Sequence, residues 1–228
     1  MSRVLPILFN TEMVRAILDG RKTVTRRLVK PQPKSKLCYT FAGSDCGTWG
    51  YPSKTAHESW GEEYRLPDNI TKEDFGKRWN PPYHTDDVLY VRETWSPIYP
   101  DKESNEVCGY IYKEDSLEEY DNRYPDGEDY QWGGKWRPSI HMPKEAARIW
   151  LKVTDVRVER LQEITEEQIG REGVEVEYPH VLNGEEKRYA FSTLWNSTVK
   201  KSDLDRYGWN ANPWVWVIEF ERCEKPEE

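Results

Sequence analysis

Apolar positions alternate most clearly near the C-terminal end of the chain. The even-numbered positions from Trp214 to Phe220 are all apolar, whereas the odd-numbered positions from Val215 to Glu221 begin apolar and end acidic. A period of two predicts a β-strand. A second strand is predicted over Leu151–Leu161, where the apolar set changes parity near residues 154–155. Such a change indicates a β-bulge, which is common where a sheet curls into a barrel.

The N-terminal segment has the pattern of a strand, a helix and a second strand. The apolar run Val4–Phe9 predicts the first strand. Asn10 is a typical N-cap residue, apolar positions then recur at helical spacing, and Gly20 stands where a C′ glycine ends a helix. The β-branched stretch Lys22–Arg27 begins the next strand.

Shorter elements follow. We predict a strand over residues 86–95, a short helix over 144–149, a helix that begins with a capping box at Thr165 and ends at Gly173, and another helix around Phe191.

Two segments, at about 31–86 and 97–136, keep neither period and are predicted to be long irregular insertions. Strands separated by short helices, without regular βα alternation, predict an α+β fold around a small curled sheet. We expect one domain over residues 1–228.

Composition supports a folded chain and excludes several classes of protein. Charged residues make up 32% of the chain and the mean hydropathy is −0.94, but 11 Trp and 14 Tyr are not typical of a disordered protein. No apolar run is long enough for a transmembrane helix, and the N-terminus lacks the apolar core of a secretory signal. The four cysteines form no CxxC pair, which favours reduced thiols and a cytoplasmic location.

Charge is distributed unevenly. Residues 1–36 have a balance of +7 within a chain of net charge −8, and much of the compensating acidity lies between 101 and 129. A basic cluster on an acidic protein suggests a local anion site, although an exposed basic helix and strand would give the same pattern.

The stretch from Gly20 to Arg27 is the first candidate for chemistry. A Lys22 side chain beside other cations and partly buried would have a lowered pKa and could act as a base. In a regular strand Lys22 and Thr25 would face opposite ways, so they converge only if Lys22 still belongs to the turn. The alternative is an exposed basic strand edge, which protects against aggregation.

Glu172 is the second candidate, because the end of a helix disfavours a carboxylate and burial there would raise its pKa enough for a general acid. The alternative is an exposed Glu172 paired with Arg171. Both candidates, and Thr25, occupy turn or helix-end positions, so we expect their truncation to cost no more than roughly 1 kcal/mol of stability.

Two further pairs are weaker candidates. Glu93 shares parity with apolar neighbours and would need an inward partner such as Arg27 or Lys22, while Arg92 would face the other way. Ser139 and His141 would share one face of a strand.

Several known motifs are missing, including GxxxxGK[ST], GxGxxG after a strand, GxSxG and HExxH. The nearest metal-like grouping, Cys38, Cys46 and His57, has loose spacing, so we expect neither a metal nor a cofactor.

Taken together, several stretches resemble the ASCH domain family, and most closely its longer members encoded by phages and prophages. The resemblance lies in Pro6–Asn10, Gly20–Arg27, Asp87–Trp95, Pro138–Pro143 and Val153–Leu161, and it ends with Tyr207–Val217. It implies a PUA-like β-barrel flanked by short helices, with a cleft that accepts RNA or nucleosides. The two insertions are not explained by it.

Small bacterial members of that family hydrolyse the amide of N4-acetylcytidine. The resemblance implies that Thr25 is the nucleophile, Lys22 the base and Glu172 the acid. Arg27 and Arg92 would hold phosphate or the developing oxyanion, and the other expected substrate-binding residues are Arg26, Glu93, Ser139 and His141. The alternatives are a non-catalytic module that binds RNA or another nucleic acid or serves as a phage accessory protein, and a ribonuclease that is either metal-dependent or metal-independent.

Overall fold

The computed structural model describes residues 2–30, 32, 38–41, 47–50, 81–100, 105–115, 131–132, 134–176 and 185–226. The strands are β1 (Val4–Leu8), β2 (Val24–Leu28), β3 (Cys38–Phe41), β4 (Gly47–Gly50), β5 (Val88–Arg92), β6 (Trp95–Tyr99), β7 (Gly109–Tyr112), β8 (Gln131–Trp132), β9 (Trp150–Arg160) and β10 (Trp214–Cys223). The α-helices are α1 (Thr11–Leu18), α2 (Glu166–Arg171), α3 (Glu186–Thr198) and α4 (Leu204–Tyr207), and short 3₁₀ turns occupy Ser139–His141, Lys144–Ala146, Leu161–Glu163, Lys201–Asp203 and Trp209–Ala211.

The main sheet has five strands in the order β1-β5-β9-β10-β2. The β1–β5 pair is parallel and the other pairs are antiparallel. The fold is therefore a mixed α and β architecture, as the pattern predicts. Among the described strands none pairs β1 with β2, so these two are edges and the main-chain ladder is open.

Both faces of the main sheet are covered, which the alternation in β10 already indicates. Trp216, Ile218 and Phe220 pack in one core with residues of α1, while Val215 and Val217 pack in a second core with residues of α2 and α3. The predicted strand and its alternation are confirmed.

The bulge predicted in β9 is also confirmed. Glu219 pairs with Asp155 but the next residue, Phe220, pairs with Val153, so Thr154 is the extra residue. A bulge bends its strand and increases the local twist.

Local capping signals fix the two helices that frame the site. Asn10 Oδ1 accepts a hydrogen bond from the Met13 N–H at 2.8 Å, which begins α1. Thr165 and Gln168 form the predicted capping box of α2. After α2, Gly173 has φ +87°, and a Cβ placed there would lie 2.7 Å from Ala16 Cβ, so glycine allows the end of α2 to approach α1 closely.

Three elements differ from the predictions. Residues 139–141 form a 3₁₀ turn and not a strand, and the turn ends because Pro143 holds the preceding residue, Met142, in extended backbone. The helix predicted over 144–149 is a single 3₁₀ turn, because the chain is already extended at Ala147 as it enters β9. The 97–136 segment is not wholly irregular, since β6, β7 and β8 form a three-stranded sheet. Strands of two to five residues are too short to reveal a period.

Within the 31–86 segment, β3 and β4 pair as an antiparallel two-stranded sheet. The rest of that prediction falls mainly outside the described residues, as does the grouping of Cys38, Cys46 and His57, whose side chains are not described. No helix in the described part of the chain combines the length and apolarity needed to cross a bilayer.

Candidate functional site

Lys22 and Glu172 meet at the junction between α2 and the start of β2. Lys22 still belongs to the turn before β2, and its main chain forms an isolated antiparallel bridge with that of Glu172, the C-cap of α2. Lys22 Nζ donates hydrogen bonds to Glu172 Oε2 at 2.7 Å, to the Glu172 carbonyl at 2.8 Å and to the Val24 carbonyl at 2.8 Å. The three donors of the ammonium are thus all used.

Arg26 brings a second buried cation to the same carboxylate. Its Nη1 donates to Glu172 Oε1 at 3.0 Å, and its Nη2 donates to Gln168 Oε1 at 2.9 Å and to Glu159 Oε2 at 3.4 Å. The Arg26 side chain is 1% exposed, and within the described part of the chain its Nε has no hydrogen-bond partner.

Burial is the main electrostatic influence on Lys22. It lowers the pKa of Lys22 below the usual lysine value, and attraction to Glu172 opposes that shift only in part. Both oxygens of Glu172 accept hydrogen bonds from cations, Oε2 from Lys22 and Oε1 from Arg26, and such charge-assisted hydrogen bonds are stronger than neutral ones.

Thr25 lies in β2 and receives a hydrogen bond from its neighbour Arg27. Arg27 Nη1 donates to Thr25 Oγ1 at 3.1 Å, so the hydroxyl oxygen accepts from a fixed positive charge. Arg27 Nη2 donates to the Leu8 carbonyl at 3.0 Å and its guanidinium lies over the Phe9 ring, which connects the end of β1 to β2.

A cavity of about 620 Å³ opens beside these residues. Thr25 and Glu172 both line it. Four of the other lining residues are basic, namely Arg26, Arg27, Lys30 and Lys200, and three are aromatic, namely Phe191, Trp195 and Tyr207. The remaining ones are one acidic residue, Asp203, and the uncharged Met13, Leu28, Leu194, Thr198 and Val199. A concave site with rings and convergent cations suits a ligand with an aromatic ring and oxygen acceptors.

Arg92, Glu93, Ser139 and His141 do not line this cavity. The 3₁₀ turn removes the shared strand face expected for Ser139 and His141, and His141 is exposed. Arg92 Nη1 instead donates to the Ile140 carbonyl at 3.2 Å.

Glu93 is buried, as its parity predicts, but its partner is neither Arg27 nor Lys22. Arg148 binds both carboxylate oxygens, at 3.0 and 2.9 Å, and also contacts Asp115. Burial raises the pKa of Glu93 above the usual value despite these hydrogen bonds. Glu93 and Arg148 therefore form a buried structural ion pair. The alternation of the strand predicted that Glu93 is buried, but it could not identify Arg148 as the partner.

The three central residues are much more buried than their turn and helix-end positions suggest. Lys22, Thr25 and Glu172 are 2%, 1% and 6% exposed. The expectation that truncation costs little rests on surface-like positions, and that premise is wrong for the ion pair, because Lys22 and Glu172 are buried where α1, α2 and β2 meet. The alternative of an exposed Glu172 paired with Arg171 is also wrong, since Arg171 contacts Glu219.

Residues of α3 and the following loop are the part of the site that the pattern missed. Phe191 and Trp195 stand at helical spacing, which indicates a helix face but does not distinguish a core from a cavity wall. Lys200 and Tyr207 belong to no periodic pattern in the sequence, so nothing there predicted that they line a cavity.

Comparison of the chain with protein-family models, with curated proteins and with solved structures finds no match.

Proposed function

We propose that this chain is an ASCH-type protein that binds a modified nucleoside or RNA nucleotide in the cavity beside β2 and hydrolyses an amide such as that of N4-acetylcytidine. The observation that carries the proposal is the 2.7 Å contact between Lys22 Nζ and Glu172. Glu172 lines the cavity together with Thr25, and Lys22 lies behind Glu172, outside the cavity lining. Base, acid and hydroxyl are the groups that acyl transfer without a metal needs.

The first chemical step is attack of Thr25 Oγ1 on the acyl carbon. Lys22, as the free amine, takes the hydroxyl proton while the new C–O bond forms, and the Arg27 guanidinium stabilises charge on the hydroxyl oxygen. Glu172, as the acid, gives its proton to the exocyclic nitrogen as the C–N bond breaks. Water then cleaves the acyl ester, which releases the carboxylic acid and restores Thr25.

The proposed PUA-like barrel does not require main-chain hydrogen bonds between β1 and β2. Arg27 belongs to β2 and reaches the carbonyl of Leu8 at the end of β1, so a side chain spans the two sheet edges where a closed barrel would have a main-chain ladder. Arg27 and Lys22 both lie beside the end of β1, at the gap between these two edges.

A non-catalytic binding module is the second candidate, and a specific observation favours it. All three Lys22 donors are used by acceptors within the chain, as in a purely structural ammonium. Tyr207 is the least buried of the three aromatic residues that line the cavity, and its ring would then stack on an unpaired base without chemistry.

Acetate release from N4-acetylcytidine separates the two candidates. The wild-type chain should release acetate and cytidine in equal amounts, and Lys22→Met should lower kcat roughly 10²–10⁴-fold because it removes the base. Lys113→Met is the matched control, since Lys113 is an exposed lysine that does not line the cavity.

Thermal melts establish that each variant is folded at the assay temperature. Binding of N4-acetylcytidine without acetate release by the wild-type chain would favour the binding module.

A further inference from the structure

The cavity runs along the edge of β2 that pairs with no other described strand. Four consecutive residues, Thr25–Leu28, line it. Side chains alternate across a strand, so a cavity on one face of the sheet would be lined by every second residue only. Since β2 is an edge strand, its main chain is part of the cavity wall.

The register of β2 on β10 shows which main-chain groups point away from the sheet. The Thr23 carbonyl accepts from the Phe220 N–H at 2.9 Å, and the Val29 N–H donates to the Trp214 carbonyl at 3.1 Å. In an antiparallel ladder every second residue faces the partner, so Thr25 and Arg27 also face β10. The residues whose main-chain groups face outward are Val24, Arg26 and Leu28.

Side chains already occupy two of the outward carbonyls. Lys22 Nζ donates to the Val24 carbonyl at 2.8 Å, and Arg27 Nη1 donates to the Arg26 carbonyl at 3.2 Å. The outward N–H groups of Arg26 and Leu28 meet no acceptor among the residues that the structure describes. The main-chain groups that remain available along this stretch are therefore mainly N–H donors.

Arg26 supplies a further unused donor at the same place. Its Nε is buried and has no hydrogen-bond partner among the residues that the structure describes, although both terminal nitrogens are hydrogen-bonded. Buried polar groups in folded proteins are nearly always hydrogen-bonded. Because Arg26 lines the cavity, a ligand atom that reaches this nitrogen would supply the missing partner.

We propose that this edge is a main-chain recognition site, in which the N–H groups of Arg26 and Leu28, together with Arg26 Nε, donate hydrogen bonds to oxygen atoms of a nucleotide ligand. The proposal rests on the proposed function, because it takes the cavity to be a nucleotide site. The two N–H groups lie two residues apart, about 7 Å along a strand. That spacing suits two separate acceptors, such as a base carbonyl and a phosphate oxygen.

An added peptide strand fits this edge less well. Such a strand needs alternating N–H and C=O groups, and the carbonyls of Val24 and Arg26 are already hydrogen-bonded. The ammonium groups of Lys30 and Lys200 at the cavity also favour an anionic, oxygen-rich ligand.

Amide hydrogen exchange with cytidine 5′-monophosphate tests the site directly. The amides of Arg26 and Leu28 should exchange at least tenfold more slowly when the nucleotide is bound. Those of Thr25 and Arg27, which already bond to β10, are internal controls and should change little. Parallel titrations with cytidine and with inorganic phosphate tell base oxygens from phosphate oxygens.

Matched variants at one position isolate the main-chain donor. Leu28→Pro removes the outward N–H without removing a bond to β10, and Leu28→Ala keeps it. We expect Leu28→Pro to bind cytidine 5′-monophosphate roughly tenfold more weakly than Leu28→Ala, the effect of one hydrogen bond.

Calorimetric binding of the nucleotide without slower exchange at Arg26 and Leu28 would overturn this inference while leaving the proposed function standing. Absence of binding by all three probes would overturn both.

Discussion

Replacing Glu172 by glutamine should destabilise the fold strongly, because it leaves buried cations short of an anion. Glu172 binds Lys22 and Arg26, whose side chains are 0% and 1% exposed. Removing one partner of a buried ion pair costs about 3–5 kcal/mol. For a chain of this length that corresponds to a fall in Tm of roughly 6–20 °C.

The matched control lies three residues further along the chain. Glu175 is exposed and pairs with Arg21 at 3.3 Å, so Glu175→Gln should change the free energy of unfolding by no more than about 0.5 kcal/mol. Urea unfolding monitored by tryptophan fluorescence measures both variants. If Glu172→Gln and Glu175→Gln unfold within about 0.5 kcal/mol of each other, the ion pair is not the stabilising feature described above.

A double-variant cycle assigns the effect to the pair. Lys22→Met together with Glu172→Gln should cost less than the sum of the two single variants, by roughly 0.5–3 kcal/mol, because neither charge is then left unpaired. Strict additivity would mean that the two side chains act independently despite their 2.7 Å contact.

Three further predictions follow from burial, charge and backbone geometry. Trp216→Ala removes a ring from the first core and should cost about 3–5 kcal/mol in urea unfolding; a cost under about 1 kcal/mol would contradict its place there. Burial alone would raise the pKa of Asp87, but hydrogen bonds from Arg3 and from main-chain N–H groups hold it below its usual value, so its stabilisation is present above about pH 4 and is lost as the pH falls through the lowered pKa. In the Asp87→Asn variant the free energy of unfolding should therefore depend less on pH in acid. An unchanged dependence on pH would contradict the stabilising role of the Asp87 carboxylate. Gly173→Ala should lower Tm by several degrees, since φ is +87° and the new Cβ would meet Ala16; an unchanged Tm would show that the two segments separate easily.

Features that depend on neighbours in sequence could be predicted from the chain. The N-cap at Asn10, the capping box at Thr165 and the alternation of β10 each depend on a few consecutive residues, and all three are confirmed. The bulge at Thr154 was visible as a change of parity within one strand.

Features that depend on distant residues could not be predicted in the same way. Parity placed Glu93 inward, but its partner Arg148 is 55 positions away and has no periodic signal of its own. The burial of Lys22 likewise depends on the close approach of α1 and α2. Gly173 permits this approach, but a glycine in the sequence does not by itself predict it. The sequence placed the candidate residues at turns, but only the folded structure shows how buried they are and which charged groups they contact.

The most direct test of the proposed site compares two threonines of the same segment. Thr25→Val and Thr23→Val each replace a hydroxyl by a methyl group of similar size, but only Thr25 lines the cavity, whereas Thr23 Oγ1 accepts from Arg171. Acetate release from N4-acetylcytidine should fall by roughly 10³-fold or more in Thr25→Val and stay within a few-fold of wild type in Thr23→Val. Equal release by Thr25→Val and the wild-type chain, or no release by either, would contradict the assignment of Thr25 as the nucleophile.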